Sequence, residues 1–303
     1  MRTQLDIQNN YLLKGHSTIR IGGVCSHFAE ASNENSIMEA LEYAYSKNKK
    51  VHVIGAGSNV LIGENPDTFV LKMVMRDVEV IGEKIIAKAG VYLPTISRIA
   101  LCHGLTGFEW ASAIPGTIGG AAIMNAGAYD TEFFDKVEAV TGIDMNGNKK
   151  TIPRSDIETS HRSSNIHPEN FIVTEVSILL QKGDIGKIEK KMLEYTSYRK
   201  RTQPKGLTLG STFMQSFDFT RGTGVSAGYY IDQCGLKGFT VGGASFSKIH
   251  ANFIMNQGGG TFSDVLDLME QAYYRVQEKF GVKLRPEVKI LADSLLTRKF
   301  VSN

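Results

Sequence analysis

A chain of 303 residues exceeds the range of about 100–200 residues in which a single core is usual, so two or three packed modules are expected. Its 42% hydrophobic and 21% charged residues are close to globular averages, which excludes global disorder. The formal net charge of +3 comes without a long Lys/Arg run, so nucleic acid is not an expected partner.

Cysteine usage and hydropathy indicate a reducing, aqueous compartment. Cys25, Cys102 and Cys234 are isolated from one another, which fits neither a disulfide framework nor a zinc motif. Each is predicted to be a small buried apolar residue. The first ten residues are polar, and no stretch approaches the roughly 20 apolar residues that cross a bilayer. We therefore expect a cytoplasmic protein without a membrane partner.

The first part of the chain has the pattern of a β-α-β unit over residues 18–75. A strand is predicted at His27–Glu30, a helix at Asn35–Asn48 and a strand at Val51–Ile54, which runs into a glycine turn. Further elements follow in order: strands at Phe69–Met73, Val78–Ile81 and Lys84–Ala89, and a helix at Leu93–His103 with Pro94 in its first turn.

The middle of the chain carries glycine without a regular period. We predict a long irregular stretch at Gly104–Gly127. We expect it to be functional, because a segment without a function would have little reason to forgo regular hydrogen bonds over such a length. Strands are predicted at Val137–Asp144 and Phe171–Leu180, and a basic helix at Lys187–Lys200. Gln203-Pro204 marks the approximate boundary to a last module.

The last module is predicted to contain one clearly amphipathic helix, Ser263–Phe280, with Ser263 as its N-cap. Its apolar face is formed by Val265, Leu268, Met269, Ala272 and Val276. A strand at Glu287–Ala292 closes the module, and the fold class is α+β.

Two glycine segments are candidates for ligand contact. Gly55–Asn59 offers consecutive backbone N–H groups with small side chains, as close approach to a pyrophosphate requires, although a plain tight turn is equally compatible. It lacks the third glycine and following helix of a dinucleotide fingerprint. Ile114–Tyr129 combines glycines with small apolar residues, against which a flat ring system can lie. The alternative is a structural loop capped by Thr117 and Asn125.

These two segments belong to a longer series, which comprises His16–Gly23, Gly55–Leu61, Gly107–Glu109, Ile114–Tyr129, His161–Ser164, Gly210–Phe213, Gly235–Gly238, His250–Phe253 and Leu284–Val288. In order and over nearly the whole chain, this series resembles the UDP-N-acetylenolpyruvoylglucosamine reductases (UDP-N-acetylmuramate dehydrogenases).

The resemblance implies an architecture in three parts. Two α+β subdomains, residues 1–66 and 67–202, would clasp FAD in the manner of vanillyl-alcohol-oxidase-type flavin domains, and residues 203–303 would bind substrate. The chain resembles the shorter family type. The residues that the resemblance assigns to FAD are Gly55, Ala56, Gly57, Ser58, Asn59, Val60, Ile114, Pro115, Gly116, Thr117, Gly119, Gly120, Asn125, Ala126 and Gly127.

The resemblance also implies a reaction. NADPH would reduce FAD, which would pass hydride to the enolpyruvyl group of UDP-N-acetylglucosamine enolpyruvate, giving UDP-N-acetylmuramate for peptidoglycan synthesis. Ser211 matches the proton donor. Arg162 and Glu287 match the residues that hold and polarise the carboxylate, and a guanidinium suits this because it offsets negative charge without titrating. Whether Glu287 donates a proton or orients the donor network is left open.

The sequence departs from the family pattern near the chemistry. His161 stands where Tyr is usual, and Met214-Gln215-Ser216 where Lys-Asn-Pro is usual. Gln215 can still donate an amide hydrogen bond to substrate, and Lys205, near Lys200 and Arg201, is a candidate contact for its diphosphate, although a solvated basic face is equally compatible.

Other readings remain compatible with the sequence. His250 has no second ligand residue beside it, so we expect no metal. A monomer or weak oligomer is expected. The alternative functions are a flavin oxidoreductase of the same fold with a different substrate, and a non-catalytic flavoprotein sensor.

Overall fold

The computed structural model describes residues 5–214, 216–218 and 223–292. Its contacts divide the chain into two compact units. One takes in His27–Ala56 and Thr68–Arg199 together with the chain up to Asn10; the other takes in Tyr11–Ser26, Gly57–Asp67 and the chain from Lys200 onward. The division into three parts stays a prediction.

The helices alternate with short strands along the chain. Within the described ranges they are α1 (Glu34–Ser46), α2 (Leu93–Cys102), α3 (Ile118–Met124), α4 (Ile185–Thr202), α5 (Ala227–Gln233) and α6 (Phe262–Phe280), with 3₁₀ turns at Leu13–His16, Glu109–Ala113, Phe133–Asp135 and Arg154–Asp156. No helix among the described residues is both long and apolar enough to cross a bilayer.

The first sheet confirms the predicted β-α-β unit. Its strands are ordered Gln8–Leu12, Val24–Ala31, Phe69–Met73 and Val51–Ile54, and the last three pair in parallel. Of the two inner strands, Phe69–Met73 has buried apolar residues on both faces, and its Phe69, Val70 and Leu71 are fully buried. The crossover helix α1 begins at an N-cap, Asn33, whose side chain accepts from the backbone N–H of Ser36.

The same unit contains a five-stranded antiparallel sheet. Its strands are ordered Lys149–Pro153, Val137–Asp144, Phe171–Leu179, Lys84–Lys88 and Val78–Ile81. Two-residue pairs complete the unit at Leu105–Thr106 with Gln181–Lys182, Gly127–Ala128 with Thr131–Glu132, and Thr159–Ser160 with Ser163–Ser164.

The prediction of an irregular chain throughout Gly104–Gly127 is wrong, because α3 and the turn Glu109–Ala113 lie inside it. Small side chains let α3 approach the sheet closely. A Cβ at Gly119 would lie only 2.8 Å from the Cβ of Ala89. The helix is therefore set by close packing that a propensity reading of a glycine-rich sequence does not detect.

The second unit is built on an antiparallel sheet ordered Thr208–Ser211, Phe253–Asn256, Ala244–Phe246 and Thr240–Val241. Two further pairs are Ser216–Asp218 with Thr223–Val225, and Val60–Ile62 in parallel with Lys289–Leu291. The final strand is thus shorter than the predicted Glu287–Ala292. All five residues of the predicted apolar face of α6 are buried, which confirms its packing side.

Two local predictions are wrong. Helix α6 begins at Phe262, and its N-cap is Thr261, which forms a capping box with Asp264, so Ser263 already lies inside the helix. Of the three cysteines only Cys25 is buried; Cys102 is exposed at the end of α2, and Cys234 is half-buried. A cysteine at the last turn of a helix need not face the core.

The cap of α6 gives a test of this boundary. Thr261→Ala removes the hydroxyl that accepts from the backbone N–H of Asp264, so we expect the free energy of unfolding to fall by about 1 kcal/mol. Ser263→Ala is the matched control and is expected to change it by less than about 0.5 kcal/mol. Urea denaturation of both variants measures this, and a larger loss in Ser263→Ala would place the cap at Ser263.

Candidate active site

The loop Gly55–Asn59 follows directly from strand Val51–Ile54. Gly57 has a φ of +65°, and a Cβ there would fall on the backbone carbonyl oxygen of His16. The carbonyl oxygen of Gly57 accepts from the backbone N–H of Thr18 at 3.0 Å. Only glycine combines this backbone angle with so close an approach, and the result places segment His16–Gly23 against the loop.

A buried hydroxyl lies beside Gly57 with its hydrogen-bonding capacity unused. Ser17 is 2% exposed, and its Oγ has no hydrogen-bond partner among the residues that the structure describes. Its Cα lies 3.0 Å from the position that a Cβ of Gly57 would take. A buried hydroxyl without a partner is costly, and an oxygen-rich ligand such as a pyrophosphate supplies one. The residues present therefore fit a phosphate-bearing cofactor.

Gly55 belongs to the unit that contains His27–Ala56 and Thr68–Arg199, where it lies against the start of α3. A Cβ at Gly55 would overlap the Oγ1 of Thr117, the N-cap of α3. Ile114, Pro115 and Gly116 lead into this cap, and Gly119 and Gly120 lie within the helix. Gly119 is buried, whereas Gly120 is exposed, and a Cβ there would meet the Thr117 Oγ1 at 3.6 Å and no other described residue within 4 Å. This surface without side chains suits a flat ring.

A second partnerless hydroxyl precedes this surface. The Oγ of Ser112 is buried and has no hydrogen-bond partner within the described part of the chain. It belongs to the 3₁₀ turn Glu109–Ala113, immediately before Ile114. Ser17 lies in the matched segment His16–Gly23 but was assigned no role, and Ser112 was not singled out, because burial of a serine hydroxyl depends on its tertiary neighbours.

Asn125 ends α3 with a φ of +41° and is fully buried. Its Nδ2 donates to the Glu132 carboxylate at 2.7 Å and to the Ser160 carbonyl at 3.1 Å, while its Oδ1 accepts from the Phe134 N–H at 3.4 Å. Asn125 therefore does cap the loop, as the alternative interpretation of this segment predicted. Contact of Asn125, and of Ala126 and Gly127 after it, with a cofactor stays a prediction.

Arg162 lies in the tight turn between the paired segments Thr159–Ser160 and Ser163–Ser164, with a φ of +58°. The Oγ of Ser164 donates to the Ala122 carbonyl at 3.0 Å, which fixes the turn to α3. The Nη1 of Arg162 lies 3.3 Å from where a Cβ of Gly127 would be. The guanidinium is thus held next to the glycine segment.

His161, the residue before this arginine, has a lowered pKa. Burial and then the charge of Arg162 lower the pKa of His161, and Glu132 acts in the opposite direction. The imidazole is therefore neutral at neutral pH and adds no second charge at this turn.

Ser211 and Glu287 lie on adjacent backbone segments of the second unit. Ser211 ends its strand opposite Phe253, after Gly210 with a φ of +81°. The backbone N–H of Glu287 donates to the Thr212 carbonyl at 2.8 Å. The Nδ2 of Asn59 donates to the carbonyl oxygen of Glu287 at 3.1 Å. The structure therefore brings the backbone at Ser211, the backbone at Glu287 and the end of the glycine loop close together.

An asparagine fixes the chain that follows Ser211. The Nδ2 of Asn252 donates to the carbonyl oxygen of Phe213 at 2.8 Å, and its Oδ1 accepts from the Phe213 N–H at 3.0 Å. Asn252 lies in the matched segment His250–Phe253, but the sequence pattern assigned it no role. Its amide replaces a backbone partner for this segment.

The two predicted substrate contacts differ in what can be said of them. Lys205 is exposed, which leaves its amine available to an anion. Gln215 lies outside the described residues.

Comparison with known proteins assigns both parts of the chain. Residues 25–152 match the family model of an FAD binding domain, and residues 203–291 match that of the UDP-N-acetylenolpyruvoylglucosamine reductase C-terminal domain. These matches confirm the predicted α+β class, with an FAD-binding part and a C-terminal part.

Relatives that align with nearly all of this chain are named UDP-N-acetylenolpyruvoylglucosamine reductases. A UDP-N-acetylenolpyruvoylglucosamine reductase of Caldanaerobacter subterraneus is 40% identical over 287 residues, covering 94% of this chain and 93% of its own. One from Clostridium perfringens is 34% identical over 289 residues, with the same coverage. The crystal structure of the reductase from Thermus caldophilus superposes with a TM-score of 0.80 at 30% identity, over 94% of this chain and 99% of that one.

Substitutions at two glycines test the strained backbone conformation and the cofactor contact separately. Gly57→Ala is expected to lower the free energy of unfolding of the FAD-free protein by at least about 1–3 kcal/mol, because it forces a strained φ and a backbone clash. Gly120 lies inside α3, and a Cβ added there would make an ordinary van der Waals contact. Gly120→Ala should therefore leave the free energy of unfolding unchanged or raise it by about 0.5–1 kcal/mol.

The affinity for FAD gives the second readout. Gly120→Ala is expected to weaken FAD binding, measured by fluorescence titration, because the added methyl group covers the exposed surface predicted to face the flavin. Unchanged affinity in this variant would remove Gly120 from the cofactor contacts.

Proposed function

This chain belongs to the family of UDP-N-acetylenolpyruvoylglucosamine reductases, and from that premise we propose that it uses NADPH to reduce UDP-N-acetylglucosamine enolpyruvate to UDP-N-acetylmuramate. The protein is an FAD-binding oxidoreductase. The proposed reaction serves peptidoglycan precursor synthesis in the cytoplasm. The observation that carries the proposal is 40% identity over 94% of the chain, with Ser211, Arg162 and Glu287 retained at the positions of the family motif.

The pyrophosphate of FAD is proposed to lie on Gly55–Asn59, with Ser17 as an additional donor, and the flavin on the surface of α3. When bound, FAD would supply two-electron, hydride-transfer chemistry between NADPH and the enolpyruvyl double bond. The fit rests on small side chains at the loop and on buried hydroxyls that need an oxygen partner.

The protein's own residues have to handle the charge that hydride addition creates. The guanidinium of Arg162 would hold the substrate carboxylate, since it stays charged at every working pH. Ser211 would donate the proton that completes addition across the double bond. Glu287, whose backbone is held by Thr212 and Asn59, would orient or reprotonate that donor.

The departures from the family pattern are expected to change the binding of the substrate rather than the binding of FAD. The neutral His161 imidazole occupies a position where the family usually has Tyr, and both can donate a hydrogen bond. The lysine missing at position 214 removes a positive charge, so a weaker hold on the substrate diphosphate is expected.

Ser211→Ala separates proton donation from cofactor binding. We expect FAD to remain bound and to be reduced by NADPH at the wild-type rate, while oxidation of the reduced enzyme by substrate slows roughly 10²-fold or more. Stopped-flow absorbance of each half-reaction measures this, with the exposed serine variant Ser155→Ala as control. An unimpaired oxidative half-reaction in Ser211→Ala would exclude Ser211 as the proton donor.

The substrate is tested by NADPH consumption. Purified protein is expected to be yellow, to release FAD on denaturation, and to oxidise NADPH rapidly only when UDP-N-acetylglucosamine enolpyruvate is present. Rapid oxidation with a different acceptor alone would favour another flavin oxidoreductase of this fold, and absence of turnover with bound FAD would favour a sensor.

A further inference from the structure

Two tyrosine rings are stacked at the end of the Ile114–Tyr129 segment. The rings of Tyr129 and Tyr195 have centroids 4.0 Å apart and planes 14° from parallel. The hydroxyl of Tyr129 donates to the backbone carbonyl oxygen of Tyr195 at 3.0 Å. Tyr195 lies in α4, and the Lys191 ammonium of the same helix lies 5.8 Å from the centroid of its ring. Helix α4 is thereby tied to the segment that is proposed to carry the flavin.

The backbone at Tyr129 is of a kind that needs support. Tyr129 and Asp130 both have a φ of +57°, a conformation that costs a residue other than glycine about 1–2 kcal/mol. Such conformations persist where the surroundings fix them, and they cluster at functional sites. The stacked ring and the hydroxyl bond are two independent constraints on one side chain.

The same arrangement places the guanidinium of Arg199 near Tyr129 and that of Arg162 next to Gly127. Arg199 is four residues after Tyr195 and therefore lies on the same face of α4. Arg162 is held over Gly127, two residues before Tyr129. Burial lowers the pKa of Arg199; the nearby Tyr129 acts against this, and Arg162 adds to it. Two like charges brought together are costly, and an oxyanion between them offsets the repulsion.

We propose that Tyr195 is a positioning residue, which fixes Tyr129 by stacking and so places Arg199 beside Arg162 as the second arginine of an oxyanion site. The inference rests on the proposed function for the identity of the anion, a carboxylate or phosphate group of the substrate. Tyr195 does not touch the reacting atoms. Its role is to lower the cost of assembling the site before substrate binds.

Substitutions at position 195 separate stacking from the hydroxyl bond. Because Tyr129 donates to the backbone carbonyl, Tyr195→Phe retains both contacts and is expected to keep kcat/KM within about twofold of wild type. Tyr195→Leu removes the stack, which is worth a factor of about 2–10 in an equilibrium. We expect it to lower kcat/KM for substrate up to about tenfold, mainly through KM.

The control is Tyr198→Leu, which removes a ring of equal size from the same helix that meets Tyr129 edge-on at 6.0 Å. Reduction by NADPH, FAD content and circular dichroism should be unchanged in all three variants. Equal kinetics in Tyr195→Leu and wild type, or an equal loss in Tyr195→Phe and Tyr195→Leu, would overturn the positioning role.

A measurement without substrate distinguishes failure of this inference from failure of the proposed function. Inorganic diphosphate and pyruvate are titrated separately into the FAD-loaded enzyme, and binding is read from the flavin absorption spectrum. We expect the anion that binds wild type to bind Tyr195→Leu up to about tenfold more weakly and Tyr195→Phe normally, whatever the enzyme turns over. Absence of binding of both anions to wild type would overturn the oxyanion site.

Discussion

The absence of a side chain at Gly57 is the constraint on which the proposed cofactor site depends. Its positive φ and its contact with the His16 carbonyl exclude any Cβ. The close approach lets the Gly57 carbonyl oxygen accept from Thr18, and it buries the hydroxyl of Ser17 beside the loop. Gly55 plays the matching part in the other unit, where it leaves room for the Thr117 hydroxyl. The space that a Cβ would need at these two glycines is therefore occupied by the His16 carbonyl oxygen and by the Thr117 hydroxyl.

Asparagine amides hold the segments that carry the predicted catalytic groups. Asn59 binds the Glu287 carbonyl, Asn252 binds both backbone groups of Phe213, and Asn125 joins the end of α3 to Glu132 and Ser160. An amide presents a donor and an acceptor together, so it can replace a missing strand or helix partner for irregular chain. This explains how short loops acquire a fixed position without long secondary structure.

The charged side chains depend on a different device, a turn with strained backbone. Arg162 has a positive φ within a tight two-residue connection, and the Ser164 hydroxyl fixes that turn to α3. Tyr129 and Asp130 share the conformation. Strain of this kind is tolerated where packing and hydrogen bonds outweigh it. Of the seven described residues other than glycine with a positive φ, four lie in segments that match the family: Arg20, Asn125, Tyr129 and Arg162.

The sequence alone determined the periodic elements and the family. The strands Val51–Ile54, Phe69–Met73, Val78–Ile81 and Val137–Asp144 and the apolar face of α6 follow from local apolar patterns, which persist in any folded context. Only the tertiary structure decided that α3 is helical, that Thr261 caps α6, and that Cys102 is exposed. It alone revealed the buried Ser17 hydroxyl and the Tyr129–Tyr195 stack. The tyrosine stack and the packing of Gly119 against Ala89 join residues far apart in the chain, and spacing along a sequence carries no record of such contacts.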